Sequence, residues 1–297
     1  MKRDRSRHFA ALIAMAVSVG LVGACTTPGG PVYPGPPQWS YTFKTTNYKV
    51  IEATDDTLCT FITPINCHDE PYTLNIAFRV RVGEANSASA WVVEGEELLN
   101  DLKDGESAPA DAAAQAVTTF PNVNTVDLAD LAFGAKLEIA GVWSWAMEGD
   151  LTPVSGTANA VKDILLAALQ EYVETGVLPE DPNQIVSSLL GSLTFGSVFS
   201  VLSTSLASLV FIGDDGVGSR LYLGIGATGT LGSIIDATVG SATIPVVDIP
   251  IVGSFSSVPV PPDIEGGRIF RLGALPTFTD HFSQNGDDHF QNSFSFT

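Results

Sequence analysis

The chain has 297 residues, with 14 Lys and Arg against 33 Asp and Glu, and a formal net charge of −19 at pH 7. So acidic a surface repels phosphate backbones and anionic headgroups, which argues against a nucleic-acid partner. Positively charged partners or divalent cations are the electrostatic alternative, although exported proteins are often acidic merely for solubility.

The first 24 residues have the pattern of a signal peptide. Four basic residues, Lys2, Arg3, Arg5 and Arg7, precede a run from 9 to 22 that is apolar apart from Ser18 and Gly20. That run is too short to span a bilayer comfortably and has the length of an export signal.

The leader ends in Val22-Gly23-Ala24-Cys25, which resembles the lipobox of bacterial lipoprotein precursors. The resemblance covers residues 1–25 only. It implies that the Cys25 thiol takes a diacylglycerol, that the chain is cut before Cys25, and that the new N-terminus is acylated, palmitate being a typical chain. We therefore expect the protein on a bacterial cell membrane or envelope, facing away from the cytoplasm.

On this resemblance we expect residues 25–38 to be a lipidated cysteine and a Pro/Gly-rich stalk that connects a domain to the membrane. Without residues 1–24 the chain keeps 10 Lys and Arg against 32 Asp and Glu, a net charge of −22. We predict a single β-rich domain over residues 39–297.

Two further cysteines, Cys59 and Cys67, are close in sequence and compatible with one disulfide in an oxidising compartment. A zinc site is disfavoured, because His68 is the only histidine near them.

The first half of the domain reads as strands. Aromatic and β-branched residues from 39 to 53 predict one strand, and "PYTLNIAFRVRVG" predicts another, with Leu74 and Ile76 inward and Asn75, Arg79 and Arg81 outward. Residues 84–118 predict a surface excursion with a short helix. "AKLEIAGVWSWAMEGD" predicts a strand with a bulge at Gly141.

Residues from about 158 to 213 predict a helical hairpin. Apolar side chains from Val161 to Val173 recur at helical spacing, and Asp181, Pro182 and Gln184 resemble the start of a second helix. Residues 185–213 carry no charge. Three interpretations compete: a buried core helix, a membrane-associating hairpin, and an apolar groove for a lipid.

After Phe211 the chain returns to β character in "SRLYLGIGATG", "SIIDATVG", "ATIPVVDIPIVGSF" and "GRIFRLG". Asn285-Gly286 lies between two alternating runs and predicts a β-hairpin. The expected fold class is α+β, a mainly antiparallel β-sandwich with an inserted helical hairpin.

Two weak metal sites can be drawn from the sequence. Asp69, Glu70, Asp214 and Asp215 could supply oxygen ligands to calcium if their loops share one end of the sandwich, although solvated turns explain them as well. His281 and His289 flank the predicted hairpin turn and could together hold a transition metal. The sequence assigns no cofactor with certainty, and calcium is the candidate that the acidic positions suggest.

No nucleophile elbow, zinc-protease or phosphate-loop motif occurs, and no catalytic residue is assigned. The expected function is a membrane-anchored lipoprotein with a binding or envelope-structural role, its ligand an envelope protein, a lipid or a glycan. A lipid-transfer or membrane-active protein that uses the apolar hairpin is the alternative, and a hydrolase with scattered catalytic residues is the third.

Overall fold

The computed structural model describes residues 33–52, 69–98, 102–149, 155–172, 215–239, 243–244, 264–284 and 287–297, with four single residues between 174 and 184. The strands are β1 Gln38–Val50, β2 Pro71–Arg81, β3 Ser89–Glu94, β4 Ser107–Pro109, β5 Thr118–Asn124, β6 Glu138–Glu148, β7 Asp215–Gly226, β8 Thr243–Ile244, β9 Ile264–Arg271, β10 Thr277–Gln284 and β11 Asp287–Phe296. The helices are α1 Leu128–Ala132, α2 Ser155–Tyr172 and α3 Gly229–Val239.

The strands form two sheets, as a mostly β fold of the sandwich type requires. The smaller sheet has the order β10-β11-β1-β4, and β5 also pairs with β1. The larger sheet has the order β3-β2-β6-β7-β9-β8. Neighbours are antiparallel except β7 and β9, which are parallel and therefore need a crossover connection, within which α3 lies.

The first strand is paired with the last strand along most of its length. Phe43 lies opposite Phe296 and Val50 opposite Phe290. Thr42 and Thr297 exchange backbone hydrogen bonds of 2.6 and 3.0 Å. The point where the chain enters the domain and the point where it ends are consequently at the same end of the sheet.

Two layers of apolar side chains hold these elements together. The aromatic layer between the sheets contains Phe43, Phe120, Tyr222, Phe278, Phe282, Phe290, Phe294 and Phe296. The second layer lies on the other face of the larger sheet, where α2 and α3 cover it with Val161, Leu165, Leu169, Leu231 and Ile235. The larger sheet is therefore buried on both faces.

Double burial changes the expected alternation of β2. Asn75, predicted to face outward, is fully buried between the sheets and donates from Nδ2 to the Ala116 carbonyl at 3.0 Å. Arg79 and Arg81 are half-buried. A covering layer that offers hydrogen-bond acceptors lets the polar face of β2 be buried as well, because each buried polar side chain can then be paired.

Two local predictions were wrong. The bulge expected at Gly141 is absent, since β6 pairs with β2 without a register shift there; a Cβ at Gly141 would lie 2.1 Å from Phe78 Cζ, so the glycine makes room for a ring. The described part of "SIIDATVG", expected as a strand, lies in α3, whose Leu231 and Ile235 meet the core at helical spacing.

Other predictions have mixed outcomes. Strands β1, β2 and β6, helix α2 and the hairpin β10–β11 are confirmed, the last by the pairing of Gln284 with Asp287. The described residues between 84 and 118 hold β3 and β4 and no helix, whereas residues 99–101 lie outside the description. The second helix of the predicted hairpin lies outside the described residues apart from Gln184. No described helix is long and apolar enough to cross a membrane.

Candidate functional site

The chain enters the domain at a fixed point, which we call the tether end: the end of the domain where β1 begins at Gln38. The Pro37 carbonyl accepts hydrogen bonds from the Thr125 backbone N–H at 2.8 Å and from the Thr125 hydroxyl at 3.1 Å. Gln38 pairs with Asn124 and donates from Nε2 to its Oδ1 at 2.9 Å. The last residues of the predicted stalk are thus bound to β5 and the loop after it.

A buried carboxylate joins the two sheets at the tether end. Glu138, at the start of β6, is 1% exposed. It accepts from Arg79 Nε at 2.6 Å and from the Asn124 backbone N–H at 3.0 Å. Arg79 also donates to the Pro121 carbonyl at 2.7 Å. These bonds link the larger sheet to β5, and charge-assisted hydrogen bonds satisfy the buried carboxylate of Glu138.

Asp127 caps two helices at the same end. It is the N-cap of α1, in a capping box with Asp130. Its Oδ1 accepts from the Leu128 N–H at 2.7 Å and from the Leu231 N–H, in the first turn of α3, at 3.1 Å. Gly229 leaves room for this carboxylate, since a Cβ there would lie 2.3 Å from Oδ2. One negative charge therefore meets two positive helix ends.

Large exposed apolar side chains are few among the described residues: Trp39 is 61% exposed, Phe133 71% and Val117 44%. Trp39 lies opposite Val123 near the start of β1, and Phe133 is the C-cap of α1. Both aromatic residues are at the tether end. Val117 lies partway along the sheet, next to Thr118, which pairs with Phe43.

The predicted acidic site is brought together only in part. Pro71 pairs with Glu148 and Glu148 with Asp215, so the starts of β2 and β7 and the end of β6 share the end opposite the tether, here called the far end. Asp69 is 1% exposed, and its backbone exchanges two hydrogen bonds of 2.9 Å with Leu102.

Within the described residues no group of three or more His, Cys, Asp or Glu is placed to hold a metal. Asp214 and the side chain of Asp215 lie outside the described residues, as do Cys25, Cys59 and Cys67. Calcium binding and the disulfide therefore stay predictions.

Both histidines lie in the β10–β11 hairpin. His281 pairs with Gln291, whereas His289 lies at a register shift between Phe290 and Asp288 and has no Cα partner on β10. His281 Nε2 lies 2.8 Å from Gln291 Nε2, and His289 Nδ1 lies 3.0 Å from the Glu52 carbonyl oxygen. Each ring thus contacts a partner within the smaller sheet or the turn after β1, and transition-metal binding stays a prediction.

The space between the sheets contains polar groups among the aromatic rings. The Tyr48 hydroxyl donates to the Ala114 carbonyl at 2.7 Å, and burial raises the pKa of its phenol above the usual 10. Burial likewise raises the pKa of Tyr222, and the Asp280 carboxylate raises it further. Asn292 is fully buried, and within the described part of the chain neither its Oδ1 nor its Nδ2 has a hydrogen-bond partner.

Trp143 and Trp145, which a sugar-stacking surface would expose, are both 0% exposed. Their rings contact each other edge to face with centroids 5.4 Å apart, and Trp143 Nε1 donates to Ser219 Oγ at 2.7 Å. They are core residues of the larger sheet.

Helix α2 also faces inward. Its apolar residues pack on the larger sheet. This face of α2 therefore cannot line the apolar groove for a lipid that the sequence analysis considered.

Sequence reasoning missed the residues of the tether end. The signal for Asp127 was present, since "DLAD" has the spacing of a capping box. The pairing of Arg79 with Glu138 spans 59 positions and has no local signal.

Comparisons with protein-family models, curated proteins and solved structures give no match for this chain.

Proposed function

We propose that the chain is an exported bacterial lipoprotein, held on the membrane by acylated Cys25, whose β-rich domain has a binding or envelope-structural role rather than a catalytic one. The observation that carries this proposal is the tetrapeptide Val22-Gly23-Ala24-Cys25 at the end of a basic and then apolar leader. Two or three acyl chains at about 0.8 kcal/mol per buried CH₂ suffice for stable anchoring.

The order of segments supports a tethered domain. Pro28, Pro31, Pro34, Pro36 and Pro37 follow the cysteine. Residues 26–38 as a polyproline-like segment reach roughly 40 Å, at about 3.1 Å per residue. Their last residues are bound at Pro37 and Gln38, so a pull on the anchor acts on a strand that is paired on both sides.

A role in binding or structure is favoured over catalysis by how the polar groups are used. Glu138, Arg79 and Asp127 serve as links between elements of the fold. The two histidines contact a side-chain amide and a backbone carbonyl.

We also propose that residues beyond α2 return as the second half of a helical hairpin. Helix α2 follows β6 from the far end, and Glu174 accepts from the backbone N–H groups of Asn86 and Ala88 in the β2–β3 connection, toward the tether end. Strand β7 starts again at the far end. The connection must therefore run back along the sheet, which an antiparallel helix does.

Lipidation is tested by growing bacteria that express the full chain with an alkyne-tagged fatty acid, and by mass spectrometry of the N-terminal peptide. We expect a labelled, membrane-bound protein that begins at Cys25, and an unlabelled product for Cys25→Ser. Cys59→Ser is the matched control and should keep its label. Equal labelling of Cys25→Ser and wild type would refute the anchor.

Calcium binding is tested on the Cys25→Ser protein by thermal unfolding in calcium and in EDTA. If the acidic site binds calcium, the midpoint rises in calcium, and Glu70→Gln removes the rise. Equal midpoints in both solutions would refute the site.

A further inference from the structure

The tether end of the domain combines features that suit contact with a lipid surface. Among the residues that the structure describes there, Trp39 and Phe133 are the exposed aromatic side chains, 61% and 71% exposed. Tryptophan favours the interface between water and hydrocarbon, because its ring is apolar and its N–H remains a donor. Both aromatic residues are where a lipid-anchored chain enters the domain.

We propose that the tether end rests on the bilayer to which Cys25 is anchored, with Trp39 and Phe133 inserted among the headgroups. This inference rests on the proposed function, since it takes the acyl chains at Cys25 as given. Trp39 is only 14 positions after Cys25, and the stalk is bound to the domain at Pro37. The stalk therefore joins the domain at the end that carries both aromatic residues, and this end is the one nearest to the anchor along the chain.

The two aromatic residues are close enough to contact one surface. Trp39 is opposite Val123, and three extended residues and the five-residue helix α1 lead from Asn124 to Phe133. At about 3.3 Å per extended residue and 1.5 Å per helical residue, that path is roughly 20 Å or less. Both ends of the path are held, Trp39 by strand pairing and α1 by Asp127.

The test uses the acylated full-length protein in vesicles of phosphatidylcholine and phosphatidylglycerol, with and without bromine atoms on the upper acyl chain. Bromine quenches only indoles that reach the lipid. We expect brominated vesicles to lower the emission of the wild type, and Trp39→Phe to abolish that loss. Of the other three tryptophans, Trp143 and Trp145 are fully buried, and Trp91 lies within β3, opposite Ala77, with its ring against Phe120.

Two further variants separate docking from tethering. Phe133→Ser should reduce the quenching of Trp39, because it removes the second contact with the lipid. Val117→Ser, at an exposed apolar residue away from the tether end, should leave quenching unchanged. Far-ultraviolet circular dichroism verifies that each variant is folded.

The outcomes distinguish this inference from the function on which it rests. An acylated protein whose emission is the same in both kinds of vesicle would overturn docking and leave the lipoprotein assignment standing. A protein without acyl chains would overturn both. If Trp39 is shielded from aqueous iodide in the Cys25→Ser protein without vesicles, a second copy of the chain covers it and docking on lipid is wrong.

Discussion

Replacement of Asp127 is the sharpest test of how the tether end is built. In Asp127→Ala, α1 loses its N-cap, which costs about 1 kcal/mol. The Leu231 N–H, 3.1 Å from Asp127 Oδ1, loses a charged acceptor, which costs a further 1.5–3 kcal/mol or so. We expect the free energy of unfolding to fall by about 2–4 kcal/mol in total, measured by urea denaturation of the Cys25→Ser protein.

The partner variant separates geometry from charge. Asparagine is an N-cap as good as aspartate, so Asp127→Asn keeps both acceptor bonds and loses only the attraction of a carboxylate to two helix ends, about 1 kcal/mol. Asp163→Ala, at an exposed acid on α2 beside Lys162, is the control and should change stability by less than about 0.5 kcal/mol. Equal losses in Asp127→Asn and Asp127→Ala, or a loss below about 1 kcal/mol in the latter, would refute the double cap.

Three further predictions concern the core. Gly141→Ala should destabilise by about 1–3 kcal/mol in urea, because the new methyl would displace the Phe78 ring, and adding Phe78→Leu should recover part of the loss. Tyr48 and Tyr222 have a raised pKa in the folded protein, so their contribution to stability is complete below about pH 10 and is lost as pH rises through the folded pKa. The tyrosinate absorbance of these two residues should therefore appear only when the protein unfolds in alkali. Ionisation of either residue in the folded protein near pH 10 would contradict this. Asn292→Leu should raise the thermal midpoint, because a buried amide without hydrogen-bond partners in the described part of the chain costs about 1–3 kcal/mol. A lower midpoint would show that the Asn292 amide has hydrogen-bond partners in the folded protein.

Local patterns predicted the strands and the helix whose own residues determine their structure. In β1 the aromatic and β-branched residues, and in α2 the apolar spacing from Val161 to Leu169, are sufficient. The turn at Asn285-Gly286 predicted the β10–β11 hairpin. None of these elements needs information from a distant part of the chain.

Helix α3 shows why other elements could not be predicted. Its Ile234, Ile235, Thr238 and Val239 favour a strand by propensity, yet the segment is helical. Its first turn is capped by Asp127, 104 positions earlier in the chain. A cap supplied from so far away is invisible to local reasoning.

The larger sheet gives a second reason. The alternation of β2 correctly predicted a strand but not that a second sheet would cover its polar face. Asn75 is accommodated because the Ala116 carbonyl accepts its amide hydrogen bond, and Ala116 lies in the region expected to be a surface excursion. Of the candidate site, the anchor at Cys25 stays a prediction from the sequence, whereas the exposure of Trp39 and Phe133 depends on which residues the fold leaves uncovered.

The links at the tether end also bear on how docking would act. Thr125 holds Pro37, and two residues later Asp127 caps α1, which carries Phe133 at its end. The stalk and one of the two aromatic contacts are therefore fixed to the same short segment. Because these positions are set by hydrogen bonds before any contact with lipid, insertion of Trp39 and Phe133 would require little further ordering of the chain. In the proposed lipoprotein the acyl chains would supply the affinity for the membrane. The two aromatic residues would then need to supply only the difference in free energy between one orientation and another.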